Sequence, residues 1–220
     1  MSRLRNVRTI FGAVTPAVHR LMATAIDDMI DEAVDTAVAS WRGDGWTRFG
    51  PHEADCTVQL YSRMEDAVRK TPALRTLSPR LEWIQVTPAM LAGTESAATA
   101  GRPDLRFYVG PAGRTVECKR LSLAVGHPRL YVDEGMARFV TGAYASSETR
   151  GGMVGYVQAD EPDDIVTAIN KAVLAHAAMG NGHELQAVAP RGASTERYAS
   201  RHQRVSMPTI NLAHYLVDIR

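Results

Sequence analysis

Between residues 104 and 121 the chain reads as two short strand-forming runs, 104–109 and 114–121, separated by the turn-forming tetrapeptide Gly110-Pro-Ala-Gly113. That hairpin constrains the fold and the chemistry more than any other stretch. A strand presents successive side chains to opposite faces, so Glu117 and Lys119 share one face while Val116 and Cys118 turn toward a core. On this reading the charged pair points outward together. Asp104 opens the partner strand, which brings its carboxylate alongside Glu117. Two convergent carboxylates with open coordination positions suit Mg²⁺ or Mn²⁺, hard cations that take oxygen ligands and keep several waters. Asp104, Glu117 and Lys119 are therefore the candidate catalytic residues, with Lys119 placed to hold a water or to neutralise charge developing on a phosphorane.

The rest of the chain alternates helix and strand. Thr15 and Pro16 suit a helix start, and Met22, Ile26, Met29, Ile30, Val34, Val38 and Trp41 recur at helical spacing, which predicts a helix over 15–41. A glycine-rich loop over 43–50 precedes a second helix over 51–70, striped by Val58, Tyr61, Met64 and Val68. A strand is expected over 82–86 and a loop over 88–101. After the hairpin, Gly126-His-Pro128 breaks the chain, then come a helix over 131–145, a strand over 153–157, a helix from Pro162 to about Gly180, and a last strand over 210–219. A mixed sheet flanked by helices, an α/β fold, accounts for that order.

Composition narrows the function classes. The chain has 220 residues, enough for one substantial domain, and its net charge of +1 argues against a uniformly basic, non-specific nucleic-acid binder. Charge is nonetheless segregated: acids gather at Asp27, Asp28, Asp31, Glu32 and Asp35, bases at Arg191, Arg197, Arg201 and Arg204. The two cysteines, Cys56 and Cys118, are too few for a disulfide scaffold or a cysteine-based zinc site, and the seven histidines show no paired metal-ligand spacing. With no apolar run of roughly 18 residues and no secretory pattern at the arginine-bearing N-terminus, a cytoplasmic protein that crosses no membrane is expected.

The residues Pro103-Asp104 and Glu117-Cys118-Lys119, set on two strands, resemble the motif of the PD-(D/E)XK, or restriction-endonuclease-like, nuclease superfamily. The resemblance implies a core of helix, three strands, helix and strand over 51–157, with a helical extension over 1–50 and a C-terminal helix and strand over 158–220, in one domain. It implies a Mg²⁺-dependent endonuclease acting on DNA, of a restriction or anti-phage defence kind, working as a homodimer or in a larger assembly. It also implies an acidic residue on the preceding helix assisting the metal, matched here by Glu53, for which a first-turn acid favoured by the helix dipole is the alternative. Tyr131, Gly135, Arg138, Gly142 and Ala145 share a helical face, making Tyr131 and Arg138 candidate substrate contacts, with a surface salt bridge as the alternative for Arg138. The 88–101 loop and the arginines beyond Pro190 are further candidates for substrate contact. A non-catalytic binding or scaffolding subunit that keeps the nuclease fold is the competing expectation.

Overall fold

The computed structural model describes residues 16–46, 52–81, 104–110, 112–189 and 195–220. Helices α1 (Pro16–Gly43) and α2 (Glu53–Lys70) form where the apolar spacing predicts them. Seven strands follow: β1 (Leu77–Leu81), β2 (Leu105–Val109), β3 (Ala112–Leu121), β4 (Arg150–Val157), β5 (Gln186–Ala187), β6 (Glu196–Arg204) and β7 (Met207–Asp218). They make one mixed sheet in the order β1-β2-β3-β4-β7-β6-β5. β3 and β7 flank β4 in parallel, and the other neighbours pair antiparallel. The C-terminal stretch thus completes the sheet.

The parallel connections carry helices. Between β3 and β4 lies α3 (residues 127–140), α-helical over His127–Leu130, π-helical over Tyr131–Met136 and α-helical again over Ala137–Val140. Between β4 and β7 lies α4 (Pro162–Ala175). Each face of the sheet is covered by its own core. On one, α1 and α2 bring Ile30, Val38, Trp41, Leu60 and Met64 onto Leu105, Val116, Cys118 and Tyr156. On the other, α3 and α4 bring Tyr131, Met136, Phe139, Ile165 and Ile169 onto Leu121, Met153 and Leu216. A central parallel strand covered on both faces has no solvent side. β3 is accordingly buried from Arg114 through Lys119, and Glu117 and Lys119 face α3 instead of water.

Other expectations shift as well. The strand expected over 82–86 and the loop over 88–101 lie outside the described residues. Leu77–Leu81, which follows Pro72 and contains Pro79, is the first strand; proline is tolerated there because β1 is the outermost strand on its side of the sheet. β6 carries no apolar signal because its buried positions hold Arg197, Ser200, His202 and Arg204.

The acidic run of α1 is a docking stripe. Asp27, Asp31 and Asp35 recur every four residues and so share a face. Asp27 pairs with Arg114 of β3 at 2.8 Å and with Arg150 of β4. Asp31 pairs with Arg197 of β6 and accepts the Tyr215 hydroxyl of β7 at 2.6 Å, and Asp35 accepts the Thr195 hydroxyl. The bases expected to grip substrate therefore include two with structural work. Arg197 is one. Arg204, 8% exposed, is the other: it donates to the carbonyls of Pro208 (2.6 Å), Phe139 (3.2 Å), Ala145 (2.9 Å), Ser146 (3.5 Å) and Glu148 (2.6 Å).

That guanidinium organises the turn between α3 and β4, where Gly142 and Ala145 both take positive φ. Arg204→Ala leaves several carbonyls without their donor and is expected to cost about 3 kcal/mol in urea unfolding. Arg204→Lys should recover little, since an ammonium has three donors on one atom and cannot span the fork.

Candidate active site

β2 is shorter than β3, and the site occupies the gap this leaves. The hairpin register pairs Leu105 with Val116, so the next position sets Asp104 opposite Glu117. β2 begins at Leu105, and beyond it the β3 edge over 117–121 pairs with no strand on that side among the described residues. Unpaired edge amides need other acceptors. Carboxylates supply them: Asp104 Oδ2 accepts the Cys118 N–H at 2.7 Å, and Glu53 Oε2 accepts the Arg120 N–H at 3.1 Å. Glu53 is the first residue of α2, so the N-terminus of that helix reaches the strand edge.

Across the edge, Lys119 Nζ lies 3.0 Å from Glu53 Oε1, 3.0 Å from Glu117 Oε1 and 2.9 Å from the Cys118 carbonyl. From α3, Arg138 Nη1 donates to the same Glu117 oxygen at 2.9 Å and to the Tyr144 hydroxyl at 2.6 Å, with its guanidinium over the Tyr144 ring. Glu117 is 1% exposed, its Oε1 takes both cations, and its Oε2 is buried with no hydrogen-bond partner.

The electrostatics follow from this crowding. Burial first, and the neighbouring Asp104 second, push the Glu117 carboxyl up to about 7 despite Lys119 and Arg138. Asp104 is also raised, by burial above all, against the lowering pull of the Cys118 amide and Lys119. Burial works against the Lys119 ammonium, but Glu117, Glu53 and Asp104 outweigh it and hold the amine charged well above its ordinary range.

Asp104, Glu117, Lys119, Glu53 and Arg138 are thus brought together. Tyr131 is not. Its side chain is fully buried and its hydroxyl meets His214 Nδ1 at 2.8 Å, so it offers no exposed atom to a substrate. The shared helical face expected of Tyr131 and Arg138 assumes 3.6 residues per turn, and the π segment between them breaks that phase. Arg138, by contrast, forms a salt bridge inward while its side chain stays 40% exposed. Sequence reasoning missed Tyr144 altogether: it lies past the end of α3, in a turn that periodicity does not describe.

A cavity of about 210 Å³ opens beside Lys119, bounded by Glu53, Arg120, His127, Leu130 and Glu134. The larger cavity, about 680 Å³ between α3 and α4, is lined by Pro128, Ala168, Ala172 and His176 among others and holds none of the five charged residues. Of the five, Glu53 and Lys119 line the smaller one.

Among the described residues no three His, Cys, Asp or Glu side chains converge as a ready metal cage. The donor set still fits a hard cation. Asp104 and Glu117 are two adjacent carboxylates, and the orphaned Glu117 Oε2 is a buried carboxyl oxygen with no hydrogen-bond partner. Glu53 fits less well, because both its oxygens already accept protein donors. Among the described residues no helix is long and apolar enough to cross a membrane. No family model matches the chain, no curated protein matches it, and no solved structure matches it.

Proposed function

We propose that the chain is a metal-dependent nuclease of the PD-(D/E)XK type that hydrolyses DNA phosphodiester bonds. The observation that carries the reading is the Asp104–Glu117–Lys119 cluster where β3 runs past the start of β2, with one buried carboxylate oxygen unsatisfied. The element order supports it: helix α2, the trio β1–β3, helix α3 and strand β4 follow the sequence that the resemblance implies.

Asp104 and Glu117 would hold Mg²⁺ or Mn²⁺, which would supply Lewis acidity toward a phosphate oxygen. The chain's own residues do the rest. Lys119 stays charged and stabilises negative charge as it develops on the phosphoryl oxygens. Glu53 becomes a positioning residue: one oxygen orients Lys119 and the other is anchored on the Arg120 amide. Arg138 holds Glu117 from one side, is steadied by Tyr144 and, with its side chain 40% exposed, is the cation available to an arriving phosphate. A homodimer or larger assembly would supply the surface that a nearly neutral chain lacks for gripping a polyanion.

The test is cleavage of plasmid, linear duplex and single-stranded DNA with Mg²⁺, Mn²⁺ or EDTA, run beside Lys119→Ala. EDTA-sensitive cutting that falls by about 10²- to 10³-fold or more in the variant is expected. Equal cutting by both proteins would sink the assignment. A second reading, a non-catalytic scaffold or binding subunit, is favoured by one feature: Lys119 and Arg138 already neutralise Glu117 from within. A scaffold would give no Mg²⁺- or Mn²⁺-dependent thermal shift that Asp104→Asn removes.

A further inference from the structure

The buried side chains that the cleavage cluster does not use form a chain of their own. Tyr131, the first residue of the π-helical segment, meets His214 Nδ1 on β7 at 2.8 Å. His214 Nε2 meets Ser200 Oγ on β6 at 2.7 Å, and the same hydroxyl meets His202 Nε2 at 2.7 Å. His202 Nδ1 lies 3.0 Å from His183 Nδ1, in the partly exposed turn that precedes β5. His202 and His214 are both fully buried.

Four successive contacts with one hydrogen in each allow more than one set of directions, and chemistry selects among them. A phenol buried beside a single partner must donate, so Tyr131 gives its hydrogen to His214 Nδ1. His214 then carries its proton on Nε2 and donates to Ser200, which donates to His202 Nε2. His202 in turn carries its proton on Nδ1 and donates to His183. The reversed run would strand the Tyr131 hydroxyl hydrogen in the core, and one in which both rings donate to Ser200 would strand the Ser200 hydrogen; either costs about as much as a lost buried hydrogen bond.

We propose that Tyr131, His214, Ser200, His202 and His183 form a polarised latch that fastens α3 to the β6–β7 hairpin while both buried histidines are neutral and releases it in acid. A second proton on either buried ring turns an acceptor nitrogen into a donor and breaks the run of donors and acceptors at that point. The surroundings oppose such a proton. Burial foremost, then His183 and Arg204, bring His202 down to about 3; burial and then His202 bring His214 down to about 3. No carboxylate is among the groups acting on either ring, and on Tyr131 the acting group besides burial is Cys118 of β3.

The sign follows from linkage. Both rings have folded-state values below the ordinary 6.5, so the stability that their neutrality gives is complete above pH 6.5 and drains away as pH falls toward 3. Each histidine that charges on opening changes the opening equilibrium about tenfold per pH unit. Release matters beyond the latch, because α3 also holds Gly135 against the Lys119 stem and Arg138 against Glu117. This last consequence rests on the nuclease reading; the latch itself does not.

The test uses the full chain and never measures cleavage, so its failure is separable from failure of the nuclease assignment. Nitrogen NMR at pH 7.5 should find the ring proton of His214 on Nε2, of His202 on Nδ1 and of His183 on Nε2. A His202 proton on Nε2 would overturn the polarity without any variant being made. Amide exchange in α3, corrected for intrinsic rates, should then lose protection by about a hundredfold per pH unit below pH 6. In His214→Gln, whose amide accepts from Tyr131 and donates to Ser200 but does not titrate, the loss should fall to about tenfold. Equal slopes in the two proteins, or α3 protection indifferent to pH, would refute the latch.

Discussion

Glu117→Gln is expected to abolish metal-dependent DNA cleavage and, above pH 7, to raise the stability of the fold. The two effects share one cause. A carboxyl held at about 7 against an ordinary 4.5 is a group whose charge the folded state disfavours. Folding therefore loses stability as pH rises from 4.5 to 7 and carries the whole cost above that window. The difference amounts to about 3 kcal/mol at about 1.4 kcal/mol per pH unit.

Glutamine keeps the shape and still accepts from Lys119 and Arg138 with its carbonyl oxygen, but it has no charge to strand. Urea unfolding should show the variant more stable by about 1–3 kcal/mol at pH 8, with the advantage gone near pH 4.5. A variant less stable than the parent at pH 8 would mean that Lys119 and Arg138 are net stabilisers of the Glu117 charge. Strain of this kind at a working site is a common exchange of stability for function. Added Mg²⁺ should stabilise the parent and leave the variant unmoved, since a cation at the orphaned oxygen relieves what glutamine removes.

Asp31→Ala is the second large effect, and it concerns the fold. Asp31 is 6% exposed and faces Arg197, whose side chain is only 7% exposed, with the Tyr215 hydroxyl on the same carboxylate oxygen. Removing the acid leaves a guanidinium buried under α1 without its paired carboxylate, Asp35 acting on it only more weakly, which costs about 3–5 kcal/mol. The double change Asp31→Ala with Arg197→Met should recover a good part of the loss, because an apolar pair tolerates burial that a lone charge does not. If the double variant is no better than the single one, the pair is incidental to how α1 is held. Arg114 and Arg150, which pair with Asp27 one turn earlier, make the same kind of attachment at a more exposed place.

Much of the candidate site was legible in the residues themselves. Alternation along 114–121 put Glu117 and Lys119 on one side of a strand, and the turn at Gly110 brought Asp104 opposite Glu117. Period-3.6 stripes marked α1 and α2 to within two residues. These features are local: strand alternation, helical spacing and turn chemistry act over a few residues and leave their pattern in the sequence.

Burial of charge was decided elsewhere. That Glu117 and Lys119 face α3 follows from β3 lying in the middle of a covered sheet, which is settled by strand order and not by the strand. β6 escaped notice because its inward positions hold Arg197, Ser200, His202 and Arg204, and a polar residue looks the same in sequence whether water or a buried partner satisfies it. Tyr131 turned inward because a π segment broke the phase that periodicity assumes. The sequence by itself determined α1, α2, the hairpin and the three charged residues set on it. Only the tertiary structure decided the partners, because Glu53 with Lys119, Arg138 with Glu117 and Asp31 with Arg197 meet across long separations, where no periodicity links one residue to the other.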